Sequence, residues 1–72
     1  MEQCDRIRIA RQAKGLTKVE MADRLGVSDL QFTRWEAGDG LASIEILEAI
    51  ATLTGVHLEW LFRGIGISGL KA

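Results

Sequence analysis

The sequence holds one cysteine, Cys4, and one histidine, His57, and the chemistry open to them is narrow. No second Cys or His is present to share a metal ion, no disulfide can close within the chain, and tyrosine is absent. No Gly-rich phosphate loop precedes a helix. The carboxylates Glu45, Glu48 and Glu59 fall on a predicted solvated face. Catalysis, cofactor binding and metal binding are therefore not expected. Cys4 reads as an ordinary residue near a frayed terminus, with redox sensing as its other use. His57 reads as a cap or surface residue at the start of the last helix.

Charge is the remaining resource. Nine basic and ten acidic side chains leave a net −1, without the basic excess expected of a nucleic-acid binder. The distribution is uneven, however. Residues 1–28 carry six basic against four acidic side chains, and residues 37–72 carry two against four. The first half is the side that would face a polyanion.

The elements that position these charges follow from length and punctuation. Seventy-two residues make one domain, short enough that every apolar face must be used and that oligomerisation is a common remedy. Apolar content of 47% with no proline favours a globular, helical chain. No stretch approaches the ~20 apolar residues of a membrane span, and no signal-peptide pattern opens the chain, so a cytoplasmic location is expected. Gly15, Gly26, Gly38, Gly55 and Gly64 each follow an apolar-periodic segment, where a helix needs a left-handed residue to stop. Thr17 to Glu20 and Ser28 to Gln31 read as two capping boxes, and Ser43 precedes the helical face Ile44, Leu47, Ala51 and Thr54. This spacing predicts five helices over about 4–14, 18–25, 29–37, 44–54 and 57–63. The domain is placed at 1–64. Residues 65–72 form a Gly/Ile tail that cannot be a stable helix.

Segment 18–37 has the logic of a helix-turn-helix. Ala22 is small where the two helices pass, Gly26 sits at the sharp turn and Val27 plugs it. Met21 and Leu25 on one helix face Phe32 and Trp35 on the next. Ile7, Leu16, Phe32, Trp35, Leu47, Ala51 and Leu61 are the expected core, whereas Arg6, Arg24 and Arg63 read as ordinary surface charges.

The run Arg11-x3-Gly15-Leu16-Thr17-x2-Glu20-Met21-Ala22-x2-Leu25-Gly26-Val27-Ser28-x5-Arg34-Trp35-Glu36-x-Gly38 resembles the Xre/Cro family of phage and bacterial regulators. The later Gly55-Val56-x-Leu58-x-Trp60-Leu61-x2-Gly64 is similar to that family's fifth helix. The resemblance covers residues 5–64 and implies an all-α, five-helix, lambda-repressor-like domain with the helix-turn-helix at helices 2 and 3. It implies double-stranded DNA as partner, read by helix 3 in the major groove. By position, Asp29, Leu30, Thr33 and Arg34 would face bases. Arg34 suits guanine O6 and N7, Thr33 a hydroxyl or methyl contact, Leu30 a thymine methyl and Asp29 the cytosine amino group. Phosphate contacts would come from Lys18, Thr17 and Ser28, then from Arg8 and Lys14 if the first helix turns them outward, with Gln31 ranked below Arg34 because of its capping duty. Arg11 and Glu36 would form the family's partly buried ion pair between helices 1 and 3. Two departures stand out. After Gly38, relatives carry basic residues and a proline, where this chain has Asp39, Gly40 and Ala42, so two phosphate contacts are missing.

One short recognition helix reads only ~4–6 base pairs, so a symmetric dimer reading an inverted repeat with half-sites ~34 Å apart is expected. Trp60, Phe62, Ile65, Ile67 and Leu70 are the candidate dimer anchors, with residues 65–70 pairing as a strand or strapping the partner as the sharper version. The function expected is a transcriptional repressor in a prokaryotic or phage cytoplasm, at the nucleoid. The alternative is an antitoxin- or antirepressor-like protein-interaction module, which the acidic balance and an exposed Phe32 would favour. Met1 and the tail's composition mildly favour a complete small protein, with a piece cut from a longer regulator as the alternative.

Overall fold

Local signals decide where this chain turns. In the computed structural model, which describes residues 1–69, α1 spans Gln3–Lys14, α2 Lys18–Leu25, α3 Asp29–Ala37, α4 Ile44–Thr54 and α5 Leu58–Arg63. There is no strand among the described residues, and none of their helices is long and apolar enough to cross a membrane. The five predicted helices are all present; α1 begins one residue earlier than expected and α5 one later.

The turn between α2 and α3 shows how sequence sets geometry. Gly26 adopts φ 72°, a left-handed conformation that costs a side-chain-bearing residue about 1–2 kcal/mol. There the Gly26 amide donates to Asp23 O at 3.1 Å and the Val27 amide to Ala22 O at 3.0 Å. The next helix starts two residues later on its Ser28 cap.

Each helix places at least one large side chain fully out of water: Ile7 from α1, Met21 from α2, Phe32 from α3, Leu47 and Ile50 from α4, and Leu61 from α5. Burying each contributes about 1.5–3 kcal/mol, and for a domain this small that is the main stabilising term. Leu16, Trp35 and Ala51, expected in the core, lie at its margin, half-buried and packed against it. Trp35 meets Phe32 edge-on, with ring centroids 6.5 Å apart.

Two expectations need correction. Arg6 is not a surface charge. It is 7% exposed, and its guanidinium donates to Leu61 O at 3.1 Å, Phe62 O at 3.4 Å and Met1 O at 2.6 Å. It ties the start of the chain to the end of α5, whose last carbonyls need donors. Nor is Cys4 at a frayed end. It is half-buried within α1, with its Sγ 3.5 Å from where a Cβ on Gly38 would stand.

The tail turns back along α5, and the His57 amide donates to Ser68 O at 2.8 Å. His57 holds the α5 cap position, but its side chain makes no cap bond. Ile65 and Ile67 stay 51% and 74% exposed. Phe62 is also exposed, with the Arg63 guanidinium 5.8 Å from its ring centroid. Trp60, by contrast, is half-buried against the core, which removes much of it as a dimer anchor. Leu70, the last of those candidates, lies outside the described residues.

Candidate nucleic-acid interface

The rotation of α3 about its axis is fixed from the inside. Phe32 is fully buried, and four residues on, Glu36 is buried against Arg11. That pair is bidentate: Arg11 Nε donates to Glu36 Oε2 at 2.6 Å and Nη2 to Oε1 at 3.2 Å. Arg11 Nη1 also donates to Leu16 O at 2.8 Å, so the guanidinium fastens α3 and the α1–α2 loop to α1. With 32 and 36 facing inward, helical periodicity turns 30, 34 and 37 outward and 33 to the flank, while Asp29, three residues before Phe32, is exposed because it stands in the first turn. Asp29, Leu30, Thr33, Arg34 and Ala37 are all exposed. Leu30, Thr33 and Arg34, three of the four residues expected to face bases, thus share one side of α3, with Asp29 exposed at its start, and the described residues enclose no pocket. Leu30, at 63% exposure, contributes little to the core.

Helix starts supply the anion-seeking groups. At α2, the Thr17 hydroxyl oxygen accepts from Glu20 N at 3.1 Å, and the Glu20 carboxylate accepts from Thr17 N at 2.9 Å. This reciprocal box holds the Glu20 carboxyl below its ordinary range, chiefly through the Thr17 amide and then through the Thr17 side chain. At α3 the box is one-sided. Ser28 Oγ accepts from Gln31 N at 3.1 Å, and the Gln31 side chain makes no return bond. A carboxylate gains a charge-assisted bond there that a neutral amide does not. The half-buried Gln31 side chain is therefore without the capping duty assigned to it.

The first-turn amides of α2 (Lys18, Val19) and α3 (Asp29, Leu30) have no intrahelical partner, which is the usual basis of anion binding at helix starts. Thr17, Lys18 and Ser28 are exposed beside them. Lys14 is exposed in the last turn of α1. Arg8 is half-exposed but occupied, since its Nη2 lies 2.6 Å from Asp5 Oδ1. That bond, followed by the Glu2 amide, lowers the Asp5 carboxyl's pKa.

The basic surplus of the first half is therefore smaller than its composition suggests. Of its six basic residues, Arg6 and Arg11 are buried and Arg8 is paired, leaving Lys14, Lys18 and Arg24 at the surface. Val19, 59% exposed beside Lys18, was not picked out from sequence. Its place two residues before the inward Met21 is the signal that would have placed it on the outer side.

Comparison with known proteins bears on this arrangement. Residues 7–61 match a family model described as helix-turn-helix. The chain is 31% identical over 64 residues to the HTH-type transcriptional activator BcrR of Enterococcus faecalis, a match covering 89% of this chain. It spans only 31% of that protein's length.

Proposed function

The chain belongs to the Xre/Cro-like helix-turn-helix family, and from that premise we propose that it regulates transcription by binding DNA, with α3 in the major groove. The observation that carries this reading is the fixed phase of α3. Phe32 and Glu36 hold it from within, so that Leu30, Thr33 and Arg34 face outward together, with Asp29 exposed at the helix start. Arg34 grips guanine O6 and N7, while Lys18, Thr17, Ser28 and Gln31, with Lys14 beyond them, meet the phosphates. Arg8 joins them only by giving up Asp5. The burial of Phe32 also removes one support of the protein-interaction alternative, which an exposed ring would have favoured.

The operator, on this reading, is an inverted repeat bound by two copies. Reading helices ~34 Å apart suit protomers measuring 29 × 22 × 19 Å placed side by side. Phe62, Ile65 and Ile67 supply an exposed apolar surface for the contact. Regulation is by occupancy of the site, hence repression. A promoter fusion reads its sign: less transcript in the presence of the chain supports repression, and more transcript overturns it in favour of activation.

Fluorescence anisotropy with duplex DNA at two salt concentrations tests the core of the proposal. Wild type should bind with a steep salt dependence. Lys18→Ala should weaken binding to all sequences and reduce the salt slope by about one unit, and Arg34→Ala should relax specificity at one base pair. No binding at about 50 mM salt, where phosphate contacts are strongest, overturns the DNA reading.

A further inference from the structure

Leu30 is the anomaly on the outer face of α3. It is a large apolar side chain, 63% exposed, between Ser28, which caps the helix, and Phe32, which fills the core. It is neither in the core nor among the half-buried side chains packed on it. Its backbone position is rigid, because the phase of α3 is set by Phe32 and by the bidentate Glu36–Arg11 pair. An exposed leucine in a fixed place on a reading face can gain only by covering apolar surface.

The floor of the major groove offers one such group on the natural bases: the C5-methyl of thymine, which 5-methylcytosine also carries. We infer, resting on the DNA-binding reading above, that Leu30 makes this chain selective for a C5-methylated pyrimidine at one step of its half-site. Arg34, four residues on, stands on the same side of the helix. The axial separation is about 6 Å, against a base rise of about 3.4 Å, so this pyrimidine lies within about two base pairs of the guanine Arg34 reads. Asp29 stands beside Leu30 in the exposed first turn and bears on a neighbouring base. Its carboxylate repels phosphates and accepts only from exocyclic amino groups, so it favours an adenine or cytosine amino group at or beside the same step.

The test starts from a duplex selected from a random pool by the wild-type protein. Each thymine is then replaced singly by deoxyuridine, which removes the methyl and keeps every hydrogen-bonding group. One replacement should weaken wild-type binding about fourfold, the effect of one methyl's burial, and should leave Leu30→Ala unaffected. At the same step, cytosine should bind more weakly than 5-methylcytosine by a similar factor if the methyl alone is read. Equal affinity for those two bases, with sensitivity to deoxyuridine retained, narrows the source to thymine. Indifference of wild type to every deoxyuridine replacement overturns the inference while leaving DNA binding intact. Equal sensitivity in Leu30→Ala also overturns it, by assigning the methyl contact elsewhere. Failure to select any duplex overturns both readings. Leu30 is exposed, so its replacement should keep the fold, and an unchanged thermal midpoint checks this.

Discussion

Two buried arginines, five residues apart on α1, hold opposite ends of this domain in different ways. Arg11 meets a carboxylate, Glu36, through two bonds and so fixes α3. Among the described residues Arg6 meets no carboxylate; three backbone carbonyls receive it, two of them in the last turn of α5. The first arrangement neutralises charge and specifies which face of α3 looks out. The second satisfies the end of a six-residue helix and ties the start of the chain to it. A charged pair has a demanding partner, whereas a guanidinium on carbonyls has an undemanding one. The two ends should therefore respond differently to the same kind of damage.

The largest effect should follow Glu36→Ala, which leaves Arg11 buried and unpaired. Such a change costs about 3–5 kcal/mol, enough to unfold much of a domain this small, and urea titration would show it. The contrast breaks if replacing both partners, as Arg11→Met with Glu36→Leu, is as damaging as the single change, since a matched apolar pair should recover most of the loss. Arg6→Ala should cost less, about 1–3 kcal/mol, because water can reach some of the partly buried carbonyls it leaves behind. An equal or larger loss than for Glu36→Ala would reverse the ranking. Gly64→Ala probes the Arg6 end from the other side. Its φ of 74° disfavours any side chain, and the new Cβ would stand 2.9 Å from Arg6 Nη1, so a loss of about 1–2 kcal/mol is expected in thermal melts.

The smallest effect concerns the exposed cap of α2. Glu20 has a lowered pKa in the fold, so its contribution is present above the unfolded value and is lost as pH falls through the folded one. Its window therefore lies below the ordinary glutamate value of 4.5. Glu20→Gln should flatten the fall of the urea midpoint through that acid range. A slope identical to wild type would remove Glu20 from the acid response.

The same contrast explains what could be read from sequence. Helix boundaries were legible because glycines, Thr17, Ser28 and Ser43 act within one turn of where they stand. The Arg11–Glu36 pair was legible through the resemblance, which supplies the pattern. Arg6 was not, since every residue carries a carbonyl and nothing in Leu61 or Phe62 announces a cation beside it. The tail's return to His57 is likewise a bond between two backbones, brought together by chain path alone. Trp60 misled for a related reason. A six-residue helix gives too little periodicity to say which aromatic turns inward. Leu30, Thr33 and Arg34 were easier to place, because Phe32 and Glu36 define the inner face of α3 and these three lie away from it.

The even sharing of the core among all five helices has a dynamic consequence. α3 packs on both α1 and α2, so it cannot leave without exposing Phe32 and uncovering their buried faces. The amides in the interior of α3 should then exchange with deuterium only through global opening, as slowly as those of α1 and α4. The outer face of α3 is then as rigid as the whole molecule, and any partner that meets it finds a surface already in its final shape.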